Sequence, residues 1–149
     1  MRKLMLVILI LSLSIAVNGQ GSGLGIGLST DGLEGKYWMG GSTALAIHWN
    51  LGSHIAADYL LHNPDMLKLT DAPTPVYYGV GVGLGTHKGV NNNLESTTEL
   101  DLNLRGVIGL GYYVSSMPID IYIELTPAFG VLGGTGFGVG GTFGFRYFF

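Results

Sequence analysis

The chain has 149 residues, enough for one domain of ordinary size and too few for two. It contains no cysteine, which excludes a disulfide framework, a thiolate metal site and a lipidated cysteine anchor. Only 11% of residues are charged, 26 are glycine and the mean hydropathy is +0.40, too apolar for the mixed-charge surface of an ordinary soluble domain.

Arg2 and Lys3 precede an apolar stretch at 4–17 broken only by Ser12 and Ser14, which is the pattern of a secretory signal peptide. The stretch falls short of the roughly 20 residues that a membrane-spanning helix needs. Small residues suit cleavage after Gly19, with Val17 at the third position back, or after Ala16, with Ser14 there. The first is preferred, giving a signal peptide at 1–19 and a single domain at 20–149. Removing the two cations leaves five Lys and Arg against ten Asp and Glu, 5 − 10 = −5. That balance disfavours nucleic acid, whose phosphates need a basic partner.

Beyond the leader, alternation of period two takes over, and a strand puts the two parities on opposite faces. Leu24, Ile26 and Leu28 alternate with Gly23, Gly25 and Gly27. A short segment at 35–39 carries the weakest pattern, with Lys36 and Trp38 inward. Leu45, Ile47 and Trp49 oppose Ala46, His48 and Asn50, and Ile55, Ala57, Tyr59 and Leu61 oppose His54, Ala56, Asp58 and His62. Val76, Tyr78, Val80, Val82 and Leu84 oppose Tyr77, Gly79, Gly81, Gly83 and Gly85. Leu100, Leu102, Leu104, Ile108, Leu110 and Tyr112 oppose Glu99, Asp101, Asn103, Arg105, Gly109 and Tyr113. Ile119, Ile121, Ile123, Leu125 and Phe129 oppose Asp120, Tyr122, Glu124, Thr126 and Gly130. Last, Phe137, Val139, Phe143, Phe145, Tyr147 and Phe149 oppose Gly138, Gly140, Thr142, Gly144 and Arg146.

Turn-forming residues fall between these segments at 30–32, 40–42, 52–53, 63–75, 89–96, 115–118 and 133–136, so seven connections join eight strands. An even strand number suits a single-chain antiparallel transmembrane barrel. A soluble ligand-binding barrel would point the apolar parity inward. That parity is too bulky for the interior of eight strands, and the other, mostly glycine with scattered charges, would make a poor surface for water. The expectation is therefore an all-β, eight-stranded up-and-down barrel with its apolar face towards lipid and Tyr59, Tyr112, Tyr147 and Phe149 near the interfaces.

The ending 144–149, Gly-Phe-Arg-Tyr-Phe-Phe, resembles the C-terminal signal by which bacterial outer-membrane barrels are recognised, carried here by Phe145, Tyr147 and Phe149. The segments at 36–38, 54–60, 75–79, 118–124 and 135–137 resemble a family of small bacterial outer-membrane proteins similar in fold to OmpX and the membrane domain of OmpA. The resemblance implies export through the periplasm, integral residence in a Gram-negative outer membrane, and the barrel-assembly machinery, outer-membrane lipids and lipopolysaccharide as partners. A monomer is expected, and no activity is implied. The longest connection, 63–75, falls on the periplasmic side if both chain ends do, against the usual habit of long outer loops.

The inward polar residues Lys36, Asp58, Glu99, Asp101, Arg105, Asp120, Glu124 and Arg146 are the candidate site, read as a structural ion network because buried charges persist chiefly when paired. A hairpin turning near Thr135 places Arg146 opposite Tyr122 and diagonal to Asp120 and Glu124. The four histidines share the inward parity, but His54 and His87 belong near the outer rim and His62 near the other end, so convergence on a metal is not expected. No cofactor motif is present, since no helix follows the glycines of 79–85. An outer-membrane lipid-modifying enzyme would want Ser and His on the lipid face, where this chain has no histidine. The expected role is therefore non-enzymatic: a structural or surface-interaction barrel without an open pore. A narrow pore or carrier for small polar or amphiphilic molecules is the alternative. The inward glycines of the outer half allow two readings, a blind outward vestibule or space taken up by neighbouring side chains.

Overall fold

A computed structural model describes residues 23–149 apart from 65, 68–73, 91–95 and 134–135, and excludes the side chains at 87, 89, 90, 96 and 97. The expected signal peptide at 1–19 and the side chain of His87 lie outside the described residues.

The strands are β1 (Leu24–Ser29), β2 (Gly32–Gly40), β3 (Thr43–Asn50), β4 (His54–Asn63), β5 (Val76–Val90), β6 (Ser96–Tyr113), β7 (Ile119–Leu132) and β8 (Phe137–Phe148). Each pairs antiparallel with the next, and β8 pairs with β1 to close a barrel. Closure leaves no free edge along the shared length of the strands. Gly40 and Gly41, at φ 113° and 59°, turn β2 into β3 through a conformation that side-chain-bearing residues rarely adopt. Leu24 and Phe149 lie at one end of the barrel, here the terminal end, with the β2–β3, β4–β5 and β6–β7 connections; the other four connections lie at the far end.

The faces follow the parity in the sequence. Ile123, Val80 and Phe137 stand outward, 55%, 68% and 72% exposed, while Lys36, Tyr77, Tyr122 and Arg146 are buried inside. Three features differ from the expectation. First, β2 begins at Gly32, not near 35, because its ladder with β1 continues to Ser29↔Gly32, and this brings Glu34 into the lumen. Second, β5 and β6 run past their neighbours. β4 meets β5 last at His54↔Gly85, with the Thr86 N–H still donating to Ser53, so 87–90 and 96–99 pair only with each other and overhang the far rim. The ladder runs on through Thr86, Thr97 and Thr98, a residue type that favours strands, and takes in Gly89, Val90 and Ser96 from the segment 89–96 read as a turn. Third, Arg146 lies opposite Asp120, with Tyr122 opposite Gly144. The β7–β8 turn starts at Gly133, at φ 82°, which moves the register by two residues and leaves every side chain on its expected face.

Most inward glycines are seats for large side chains from the adjacent strand. A Cβ at Gly25 would strike the Phe148 ring, at Gly27 Arg146, at Gly109 the Tyr77 ring, and at Gly144 the Tyr122 ring. Room for these bulky side chains inside the barrel exists because these positions carry none.

Candidate functional site

Seven of the eight strands contribute to one polar cluster in the lumen: Glu34 and Lys36 from β2, His48 from β3, Asp58 from β4, Tyr77 from β5, Arg105 from β6, Asp120, Tyr122 and Glu124 from β7, and Arg146 from β8. All are buried except Arg105, which is nearly so. Their positions follow from the period-two pleat: each belongs to the inward parity of its strand, at neighbouring levels along the barrel axis.

Arg146 is the centre of the half nearer the terminal end. Its guanidinium lies 3.4 Å from Glu34 and 3.5 Å from both Asp120 and Glu124, and 3.7 Å from the centroid of the Tyr122 ring. Lys36 Nζ is 3.7 Å from Asp120 and stands over the Trp38 and Tyr77 rings at 4.8 and 5.0 Å. The Tyr77 hydroxyl donates to Glu124 at 2.7 Å. Beneath this layer His62 packs between Trp38 and Tyr77, ring centroids 4.3 and 4.8 Å away, and with Tyr113 and Phe148 fills the terminal end.

His48 links this half to a second centre. Its Nδ1 is 2.9 Å from Glu34 and its Nε2 is 3.0 Å from Asp58, whose other oxygen is 3.1 Å from Arg105 Nε. Ionised carboxylates only accept, so with both ionised both ring nitrogens donate and His48 carries the fourth positive charge. Lys36, His48, Arg105 and Arg146 then balance Glu34, Asp58, Asp120 and Glu124. Such balance is what makes buried charge tolerable, since each desolvated group faces an opposite one.

Of the residues singled out in the sequence, Lys36, Asp58, Arg105, Asp120, Glu124 and Arg146 meet in this cluster. Asp101 and Glu99 stand apart from it, because β6 climbs above its neighbours: Asp101 is half-buried opposite Gly85 at the far rim, and Glu99 is exposed on the overhang. Phe145, Tyr147 and Phe149 face outward, the last two with ring centroids 5.1 Å apart. Glu34 and the bridging role of His48 were missed. Continuing the alternation of Lys36 and Trp38 back by one pair would have found Glu34. The bridge depends on which strands are neighbours and at what register.

Above the cluster, in the far half, is a cavity of about 430 Å³ lined by Asp31, His48, Asn50, His54, Asn103, Arg105, Thr126 and the glycines 138 and 140, among others. The two readings of the inward glycines divide by position here. On β1 and β5 the space is taken: Phe148 at Gly25, Arg146 at Gly27, Asp58 at Gly81, and His54 with Asn103 at Gly83. On β8, Gly138 has nothing within 4 Å of a Cβ position, and the space remains open. Among the described residues no group of three His, Asp or Glu side chains is arranged to hold a metal ion. Chemically, the cluster is a set of mutually neutralised charges that fills the lumen, and the cavity above it is a polar chamber.

Searches against protein-family models, curated proteins and solved structures give no match for this chain.

Proposed function

We propose that the protein is a small integral outer-membrane β-barrel, closed by its ion-pair network, with a structural or surface-interaction role. The observation that carries this reading is the inversion of polarity. Isoleucine, leucine, valine and phenylalanine stand outward around the wall, while four acidic and four basic side chains are buried within it. Along the shared length of the strands no Asp, Glu, Lys or Arg among the described residues faces outward; Lys88, on the overhang, is the first charge on that face. A lipid environment reverses the usual preference in this way, and strands of 9–11 residues suffice to cross it. Tyr37, Tyr78, Tyr112 and Tyr147 face outward near the terminal end, as an interfacial girdle would. The terminal end is then periplasmic and the chamber opens to the outside. Arg146, Tyr77, Tyr122 and Lys36 fill the section beneath the chamber, which favours a closed lumen over a pore.

The test is expression of the full chain in a Gram-negative host, followed by membrane fractionation and planar-bilayer recording of the purified protein. The expected result is an outer-membrane band whose gel mobility changes on heating and that gives no stepwise conductance. Steady single-channel conductance would overturn the closed lumen, and recovery in the soluble fraction would overturn the location.

A further inference from the structure

Pro127 stands in the middle of β7, where proline has no N–H to give to a neighbouring strand. The β6–β7 ladder is interrupted there: register pairs run to Arg105↔Ala128 and resume at Ile108↔Leu125, leaving Gly106 and Val107 beside Pro127 and Thr126 without a ladder pair. The ladder is intact on both sides of this interruption, and little side chain covers the wall on its outer surface. A Cβ on Gly106 would approach Pro127 Cγ to 3.3 Å and meet little else, and on β8 a Cβ at Gly138 would meet nothing within 4 Å.

On the inner side of this wall is the polar chamber with Asn50, His54, Asn103 and Arg105. On the outer side is a groove of about 360 Å³ between Val80, Leu104, Phe129 and Phe137, with Gly106 and Pro127 among its lining. Arg105 and Ala128 border both spaces. A polar chamber and an apolar groove thus lie back to back across an interrupted stretch of ladder.

From this juxtaposition, which rests on the bilayer placement proposed above, we infer that the protein binds a single-chain, zwitterionic membrane amphiphile astride the wall. The head sits in the chamber, and the acyl chain passes between β6 and β7 at Gly106 and Pro127 into the outer groove. The class of head follows from the lining. Asp31 and Arg105 supply charges of both signs, Asp31 also accepting from Thr142 and Arg105 facing Asp58, while Asn50, Asn103 and His54 supply donors and acceptors. The class of tail follows from the groove, whose side walls are the exposed apolar residues Val80, Leu104, Phe129 and Phe137. One interruption admits one chain.

The test uses the mature chain refolded in phosphatidylcholine vesicles that contain lysophosphatidylethanolamine in two forms, one with a diazirine beside its headgroup to read the inside sites and one with a diazirine on its acyl chain to read the outside sites. After irradiation, label is located by mass spectrometry. The expected sites are Asn50, His54 and Asn103 inside, with Leu104 and Phe129 outside. Because the chain has no cysteine, Val107→Cys with Thr126→Cys places a reversible disulfide across the interruption and keeps Gly106 and Pro127. Oxidation should lower the inside label about tenfold, equivalent to ~1.4 kcal/mol against passage. Reduction should restore it, with Leu104 labelled equally in both states. Pro127→Ala, which returns an N–H, should lower the inside label in the same sense and decides the matter if the double variant fails to fold. Inside label unchanged by oxidation would mean that the head arrives through the open mouth, and an unlabelled chamber in the wild type would mean that it holds no lipid head. Either result overturns the inference. Loss of label at Leu104 and Phe129 as well overturns the bilayer placement with it.

Discussion

Replacing Arg146 with leucine removes the charge on which three buried carboxylates converge. At 3.4–3.5 Å each attraction is about 5 kcal/mol at an effective dielectric near 20, before any desolvation is counted. These attractions offset the cost of stripping water from a fully buried guanidinium and do not add up to net stability. What decides the outcome is what remains. Glu34 keeps His48, Asp120 keeps Lys36, and Glu124 keeps the Tyr77 hydroxyl, so no carboxylate is left wholly bare, but the lumen gains one unmatched negative charge and loses the guanidinium over Tyr122. The expected cost of Arg146→Leu is therefore about 3 kcal/mol, the lower end of the range for breaking a buried pair. Urea titration of the folded protein in vesicles, read by tryptophan fluorescence and by heat-modifiable gel mobility, measures it. Double-mutant cycles with Glu34→Gln, Asp120→Asn and Glu124→Gln should each show coupling of about 1 kcal/mol or more, whereas Asp58→Asn, whose partners are His48 and Arg105, should couple near zero. A cost under ~1 kcal/mol, or coupling to Asp58 equal to the others, would refute the reasoning.

Gly109→Ala should destabilise by about 1–3 kcal/mol because its Cβ runs into the Tyr77 ring, while Gly138→Ala, into open space, should stay within ~0.5 kcal/mol; thermal unfolding in detergent compares the two. Ile123→Arg should cost about 2–4 kcal/mol in a bilayer if that residue lies at its midplane, and Thr126→Lys, which points into the chamber, far less. Equal refolding of these two variants into vesicles would overturn the contact of the outer face with lipid. His48→Leu should cost about 3 kcal/mol, since it removes the charge that Glu34 and Asp58 share and leaves the lumen one negative charge in excess, although Glu34 keeps Arg146 and Asp58 keeps Arg105. Restoration of most of that loss by adding Glu34→Gln, in the same urea assay, would locate the cost in unmatched charge, and no restoration would place it in packing.

Strand number and facing were legible in the chain because both depend only on local periodicity. Runs such as Ile119, Ile121, Ile123 and Leu125 against Asp120, Tyr122, Glu124 and Thr126 state their faces without reference to any partner. That is why a two-residue error in the β7–β8 register left every side chain on its expected face and yet gave Arg146 the wrong opposite residue. Strand length was less legible. β5 and β6 extend past 85 and 99 because they support each other there, and neither segment alone says whether its neighbour will follow.

The sequence by itself determined which side chains enter the lumen, including the excess of glycine that keeps it from overfilling. Only the tertiary structure decided which of them meet. Glu34, Asp58 and His48 come from three different strands and touch because β2, β3 and β4 are adjacent and staggered so that Glu34 faces His48 and Ala46 faces Asp58. The same holds for the glycines. A glycine at 27 and one at 138 look alike in the chain, but the first lies beside Arg146 and is filled, and the second borders a chamber and is not. Periodicity is a property of one strand, whereas register and closure are properties of the whole barrel, and electrostatic contact requires all three.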